Sequence, residues 1–464
     1  MIVAVQRMLH EMGYAINTAA YSVIETCDDW YRSRLTDAHR RYRVNGSEYQ
    51  LERMGFGQRA ASDDANLCEV VEINAGGDKQ EQFDFVNDIF RANRFSTQYR
   101  RQLELVAAEG TAACYVWIAD ADEYDDGSVK GGNIRLNYTD ALGFVPLTVK
   151  NGEVTEAAFV GEDYVGTEIE YTAVVCLCVD GVYCYFVRVF DKNGQPIPEK
   201  SQDVQLGSIK PFAVMRTAQV NTLDNMEGFG KPKLLDVIPI LYGLDAAFTA
   251  LTGDLEASEK ITLINELLCK FDDNGQPITP NEQMKRQFVM LGGERLPQEK
   301  EVVYEINPEI RIKDFRETIE FLLNLLSQQF GYGTKKYSFD QTTGALATAT
   351  QYIGERQDML QELNRQRHEA IEYITGIVRA VLWFANEYQN GKWDLQADVL
   401  VEFDDTYITD KAAELESMRA DVVAGIGGAH VRKLYLMRKY NLDEKEAAKW
   451  AAADDPDAGS ETED

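Results

Sequence analysis

Residues 337–357 read YSFDQTTGALATATQYIGERQ and pass from a polar loop directly into a long helical pattern. From residue 345 to residue 388 the chain contains no proline, and only Gly354 and Gly376 interrupt it. At about 1.5 Å of rise per residue this pattern predicts a helix of roughly 65–70 Å. Helices of globular proteins average about three turns. The sequence therefore predicts one dominant helix that begins at a loop.

Composition and charge restrict the class of protein. The chain has 464 residues, 45% of them hydrophobic and 27% charged, which predicts a folded protein of several packing units. Its net charge of −30 argues against an ordinary DNA-binding domain, because lysine and arginine supply the affinity for phosphate. A surface that DNA passes without adhering stays compatible with this charge. No apolar run of about 18 residues and no basic leader is found, so neither a membrane span nor a signal peptide is expected.

Cysteine and histidine usage predicts no structural metal site. The seven cysteines form no Cys-x-x-Cys pair, and the four histidines lack ligand spacing. Cys176, Cys178 and Cys184 fall in strand-like apolar runs. We expect all three to be small core residues of a protein that folds in a reducing cytosol.

Period and turn chemistry divide the first half of the chain. Residues 1–41 and 84–108 have apolar residues at helical spacing, and residues 111–210 alternate with the period of strands. Asn151–Gly152 and Asp180–Gly181 predict two hairpins, because these pairs adopt the positive φ angles of a type I′ turn.

The second half contains an excursion along two helices. Residues 231–257 and 309–331 have helical apolar stripes, with Pro239 as a possible kink, and about fifty residues of short strands and turns separate them. A stripe of this kind can line a cofactor pocket, but packing on a neighbouring helix is far commoner. After the long helix we predict a strand at 398–405, a helix at 412–424 and a disordered acidic tail.

Four stretches, in this order and spacing, resemble the portal proteins of tailed bacteriophages, in particular those of siphophages of Gram-positive hosts. They are KPFAVMRTAQVNTLDNMEGFGKPKLLDVIPILYGLDAAFTAL at 210–251, EKITLINELLCKFDDNGQP at 259–277, FGYGTKKYSFDQTTGALATATQYIGERQDML at 330–360 and VLVEFDDTYITDKAAELESMRADVVAGI at 399–426. They resemble, respectively, the approach to the first stem helix, the start of the clip, the tunnel loop with the long wing helix, and the wing strand with the first crown helix.

The resemblance implies an α+β portal fold with wing, stem, clip and short crown that assembles into a ring. The implied regions are an N-terminal wing (1–230), a first stem helix (231–257), a clip (258–308), a second stem helix (309–331), a tunnel loop (332–344), a long wing helix with a wing strand (345–408), and a short crown with an acidic tail (409–464). On this reading the long helix radiates from a channel, and the loop before it projects into that channel.

The resemblance also implies function and partners. Portal rings, usually of twelve subunits, form the DNA channel at one capsid vertex, through which terminase packages double-stranded DNA. The implied partners are further copies of the chain, the DNA, terminase, the major capsid protein and a head-tail adaptor. The implied location is the virion, preceded by the host cytoplasm during assembly. The chain is expected to be no enzyme and to use no cofactor, metal or membrane, and it lacks a Walker-type phosphate loop.

The resemblance places Lys335, Lys336, Tyr337, Thr342 and Thr343 in the tunnel loop. Two interpretations of the lysines stay open. They can touch DNA phosphates transiently, or they can be a solvated pair after a helix C-terminus, where the helix dipole favours lysine. The threonines can form a surface along which DNA slides, or Thr343 can cap the helix that follows.

A rival hypothesis is a metal-dependent nuclease or phosphotransferase that uses Asp404 and Asp405. Glu402 and Asp404 would share one face of a strand, as two metal-binding carboxylates do. No third ligand or histidine accompanies them, and an Asp-rich loop after a strand is common. A cytoskeletal scaffold built on the long helix is a third hypothesis, but heptads are not sustained and the two-helix excursion stays unexplained.

Overall fold

The structure is a computed structural model. It describes residues 3–42, 46, 48–74, 80–123, 129–258, 261–265, 273, 288–291, 303–306, 310–333, 336–337, 349–403, 418–420, 422, 428–440, 447 and 449–450. Most of the predicted clip and crown therefore lies outside the described residues.

Within this part of the chain, helices and antiparallel sheets both contribute to the body. The helices are α1 (Val3–Glu11), α2 (Thr18–Tyr31), α3 (Phe56–Ala65), α4 (Gln80–Ala92), α5 (Phe95–Glu109), α6 (Lys233–Ala257), α7 (Ile312–Gln329), α8 (Ala349–Tyr388) and α9 (Gly428–Tyr440). Strands β4 to β13 follow one another with no α-helix among the described residues between them, and the longer helices precede and follow this stretch, which agrees with the α+β class.

The strands form two larger sheets and several small ones. The strands are β1 (Arg40–Tyr42), β2 (Glu48–Gln50), β3 (Val70–Asn74), β4 (Thr111–Ala119), β5 (Asp122–Glu123), β6 (Val129–Lys130), β7 (Asn133–Asp140), β8 (Phe144–Lys150), β9 (Glu153–Val165), β10 (Glu168–Val179), β11 (Val182–Asp191), β12 (Gln202–Gln205), β13 (Phe212–Arg216), β14 (Ile261–Asn265), β15 (Phe288–Leu291), β16 (Val303–Ile306) and β17 (Leu400–Phe403). The larger sheets have the orders β12-β11-β10-β9-β8 and β13-β4-β7, and a small sheet β15-β14-β16 lies between α6 and α7 in sequence.

Both predicted hairpins are confirmed. β8 pairs with β9 across Asn151–Gly152, and β10 pairs with β11 across Asp180–Gly181. All four turn residues have positive φ angles, between 51° and 83°. Only residues that tolerate the left-handed region suit such turns, which is why these short signals sufficed.

The two stretches predicted to be helical are helical over most of their described length, but each is divided between two helices. Residues 1–41 contain α1 and α2, separated where Gly13 has a φ of 90° and where Asn17 accepts a capping hydrogen bond from the backbone N–H of Ala19. The stretch 84–108 is divided between α4 and α5 at Arg94, whose φ is 51°. Arginine rarely adopts a left-handed conformation, so the sequence contained no signal for this break.

The prediction of three core cysteines holds for one of them. Cys176 is buried, whereas Cys184 is half-buried and Cys178 is exposed. The period of two continues past the edge of the core, because β10 and β11 extend to their turn beyond the part of the sheet that is covered. Strand periodicity alone could not locate that edge.

The C-terminal part of α8 is a core helix. Tyr373, Ile377 and Val381 are fully or almost fully buried. A Cβ atom added at Gly376 would lie 3.0 Å from the Cβ of Ala213 on β13, so the glycine permits close approach of helix and sheet. Gln366 reinforces this contact, because it accepts from the backbone N–H of Ala218 and donates to the carbonyl of Arg216.

Two backbone segments cross in contact at Gly110 and Gly230. A Cβ atom added to either glycine would lie 2.3 Å from the carbonyl oxygen of the other. The Thr217 N–H donates to the Gly110 carbonyl at 3.1 Å, and the Gly230 N–H donates to Thr111 Oγ1 at 2.9 Å. This crossing joins the end of α5 to the segment that leads into α6.

We expect Gly110→Ala and Gly230→Ala each to destabilise the protein by about 3 kcal/mol, because backbone must move to accept the methyl group. Denaturant unfolding measures the change. Gly161→Ala is the matched control, since a Cβ atom there meets nothing within 4 Å. Equal stabilities of the two crossing variants and the control would contradict the crossing.

Glu109 is a fully buried carboxyl group at the end of α5. Its Oε2 accepts from the Ala141 N–H at 3.0 Å, and its Oε1 has no hydrogen-bond partner among the described residues. Burial, together with the nearby carboxylates of Asp140 and Asp28, raises the pKa of Glu109 well above its usual value. The fold therefore favours the neutral acid.

Because the pKa of Glu109 is higher in the folded than in the unfolded chain, its contribution to stability is present at acid pH and is lost as pH rises through the folded pKa. Glu109→Gln keeps an acceptor and removes the charge. We expect it to raise the free energy of unfolding at pH 8 by about 1 kcal/mol or more, and to have less effect at pH 5. Glu104→Gln on the same helix should give no gain, because Glu104 forms an ion pair with Arg100 at 3.1 Å. A gain independent of pH would contradict this account.

Candidate functional site at the base of the helix pair

The helices α6 and α7 form an antiparallel pair, here called the helix pair. Arg311 forms two hydrogen bonds with Asp254, of 2.8 and 2.9 Å, at one end. Further along, a Cβ atom added at Gly243 would lie 3.3 Å from the Leu322 side chain. The chain therefore leaves the body along α6 and returns to it along α7.

Burial decreases along α6 away from the body. Leu234, Val237, Leu241 and Leu244 are buried, whereas Leu255 is 46% exposed. On α7, Ile312 and Phe321 are 55% and 62% exposed. The helix pair thus presents large apolar side chains to its surroundings, Leu255 and Ile312 at its far end and Phe321 nearer the body.

Among the described residues, one helix, Lys233–Glu256, is long and apolar enough to cross a membrane by length and composition, which differs from the expectation of no such run. The expectation rested on an uninterrupted apolar run, and Asp236 and Asp245 interrupt the run in α6. The mean hydropathy of the helix stays high despite these two aspartates. Core helices of water-soluble proteins can be equally long and apolar, and the first half of α6 is packed in the core.

The base of the helix pair contains a buried group of charged and hydroxyl side chains. Lys233, the first residue of α6, lies 3.0 Å from Asp64 of α3 and 3.0 Å from Glu362 of α8. The Tyr332 hydroxyl donates to the same Asp64 oxygen at 3.1 Å. Burial alone would lower the pKa of the Lys233 ammonium, but the two carboxylates reverse this and raise it. The lysine therefore stays charged.

A second buried group holds α6 from another side. Asp245 lies 3.0 Å from Arg53 Nε and 3.5 Å from His39 Nε2. Its Oδ1 also accepts from the Met54 N–H at 2.8 Å. Burial and the Arg53 charge lower the pKa of His39, and burial raises the pKa of Asp245. This group attaches residues 36–54 to α6.

The predicted loop residues are only partly described, and two of them lie against the body. Lys336 Nζ lies 4.0 Å from the centroid of the Tyr332 ring, and its backbone N–H donates to Ser327 Oγ at 3.3 Å. Tyr337 is half-buried, edge-on to the rings of Tyr332 and Phe56. Lys335, Thr342 and Thr343 lie outside the described residues.

Sequence reasoning missed both buried charged groups. The relevant side chains are far apart in the chain: 169 residues separate Asp64 from Lys233, and 268 separate Asp64 from Tyr332. One signal was present, since Asp245 lies within the apolar run of α6. An acidic residue in the middle of an apolar stripe indicates a buried partner.

Of the carboxylates in the rival hypothesis, the described part of the chain includes Glu402. Glu402 on β17 lies opposite Glu72 on β3 in the antiparallel register. Asp404 and Asp405 fall outside the described residues. Where the structure describes the chain, no three His, Cys, Asp or Glu side chains are grouped to hold a metal ion.

Comparison with known proteins finds a likeness among solved structures. No protein-family model matches the sequence, and no curated protein matches it. Among the solved structures that match is a chain of the neck of a native GTA particle computed with C12 symmetry. It is 11% identical, the match covers 82% of this chain and 89% of that chain, and the TM-score is 0.43.

Proposed function

We propose that the chain is a portal protein, a subunit of a ring that forms the DNA channel at a capsid vertex. The observation that carries the proposal is the helix pair. It leaves the body from a rigid charged base, exposes Leu255, Ile312 and Phe321, and is followed in sequence by the predicted tunnel loop and then α8. In the proposed particle, terminase packages DNA through the ring, which also contacts the major capsid protein and a head-tail adaptor.

A ring explains the exposed apolar side chains of the helix pair. Cyclic assembly places one face of each copy against a different face of the next copy, so apolar residues that an isolated chain exposes become buried. The net charge of −30 per copy suits a channel, because a strongly basic lining would bind many phosphates and retain the DNA.

The proposed channel loop has its root at Tyr332, Lys336 and Tyr337. These residues lie against α3 and the end of α7. We therefore expect DNA phosphates to contact Lys335 and the part of the loop after Tyr337. Lys336 is a poor candidate, because its ammonium lies on the Tyr332 ring. Desolvation lowers its pKa, although the nearby carboxylates of Asp63 and Asp64 oppose that shift. The threonines Thr342 and Thr343 would supply uncharged surface.

We expect the purified chain to form closed rings, and we expect Phe321→Asp to prevent them, because a charge would enter the apolar contact between copies. Light scattering and electron microscopy of the purified protein measure the outcome. Val220→Asp is the matched control, since Val220 is 82% exposed but lies outside the helix pair. A wild-type chain that stays monomeric over a wide range of salt and concentration would refute the proposed ring. Rings of the Phe321 variant equal to those of the wild type would exclude the helix pair from the contact.

Lys335→Glu tests the proposed contact with DNA. We expect normal folding and ring assembly but less packaged DNA per particle, because a weak, salt-screened attraction to phosphate becomes a repulsion. Lys192→Glu makes the same charge change on an exposed hairpin and should package normally. Equal DNA content for both variants would remove Lys335 from the channel surface. Loss of rings with Lys335→Glu would instead indicate packing between copies.

A further inference from the structure

Lys233 is the meeting point of four separate parts of the chain. It begins α6, it pairs with Asp64 near the end of α3, and it pairs with Glu362 of α8. Tyr332, which follows α7, donates to the Asp64 oxygen that Lys233 also contacts. One ammonium group therefore connects the outgoing helix, the returning helix, the long helix and the body.

Burial makes the contacts of Lys233, Asp64 and Glu362 depend on one another. The side chains of Lys233, Asp64 and Glu362 are 3%, 9% and 14% exposed. A charge at such a position is tolerated only while its partners are in place, because an unpaired buried charge is strongly destabilising. If α6 moves away, Asp64 and Glu362 lose their shared buried cation, and Glu362 keeps the longer contact with the exposed Arg365 at 3.7 Å. We therefore expect α3 and α8 to adjust with α6.

Backbone geometry brings the end of α7 to the same place. Gly331 has a φ of 80°, which turns the chain at the C-terminus of α7, and a Cβ atom added there would lie 3.4 Å from the Cβ of Glu362. The next residue then delivers its hydroxyl to Asp64, and Lys336 covers the ring of that tyrosine.

We propose that Lys233 is a positioning residue that locks the direction of the helix pair to α8 and to Tyr332, on whose ring Lys336 lies. The lock is a property of the chain by itself. Only its consequence, that the ring fixes the place where the channel loop begins, rests on the proposed function. A change in the tilt of α6 would be transmitted to residues 332–337 through these contacts.

Hydrogen exchange of the full-length chain with Lys233→Met, read by mass spectrometry, tests the lock. Methionine keeps the length and loses the charge. We expect amide exchange to rise at least tenfold in three separate segments, residues 233–240, 326–333 and 359–366, with the hairpin of β10 and β11 unchanged. The matched control is Lys231→Met. Lys231 lies two residues before Lys233 and forms a more exposed pair with Asp236, so this change should alter exchange in none of the three segments.

Tyr332→Phe gives a second test that does not depend on the folding of the lysine variant. It removes one hydroxyl and should raise exchange at residues 233–240 as well as at 326–333, because both lose support at Asp64. Lys233→Arg, which keeps the charge, should restore most of the protection lost in Lys233→Met.

A rise confined to the first turn of α6, or a uniform rise that includes β10 and β11, would overturn the lock. Failure of the proposed function has a different signature. In that case the wild-type chain would form no rings while the three segments still respond together. Rings that form normally, with segments that respond separately, would refute the lock and leave the proposed function standing.

Discussion

The contact between the backbones at Gly110 and Gly230 determines where the helix pair leaves the body. No side chain fits between the two segments, so the chain enters α6 directly from the core rather than from the surface. Lys233 follows three residues after the crossing and is therefore carried into the interior as soon as α6 begins. The buried contacts with Asp64 and Glu362 are the consequence, since a lysine placed there requires carboxylates around it.

The two charged groups on α6 divide the work of holding it. Lys233 attaches the first turn to α3 and α8, and Asp245, about three turns further on, attaches the middle of the helix to Arg53 and His39. Beyond Asp245, Thr249 Oγ1 still accepts from the Glu52 N–H at 2.8 Å. Burial of α6 then declines toward Leu255, where the Arg311–Asp254 pair links it to α7. Among the described residues, the helix pair is thus attached to the body at its base and middle, and at Asp254 the two helices hold each other.

Local signals in the sequence predicted what local chemistry decides. The hairpins at Asn151 and Asp180 follow from residues that tolerate positive φ, and the helix pair follows from apolar spacing. The break at Arg94 could not be predicted, because the surrounding packing and not the residue type selects that conformation. The charged base could not be predicted either, since its members come from four elements and only the fold brings them together. The exposed Cys178 shows the same limit, because strand period does not reveal where cover ends.

The surroundings of the helix pair can be argued from α7. By length and composition α6, taken by itself, could cross a bilayer. However, α7 lies against it as its antiparallel partner and would have to enter the bilayer with it. The first half of α7 contains charged residues at several positions: Lys313, Asp314, Arg316, Glu317 and Glu320. Charged side chains inside a bilayer are costly and rarely face lipid. A protein surface that buries the apolar side chains and leaves these charges in water fits both helices, and in the proposed ring a second copy of the chain would supply such a surface.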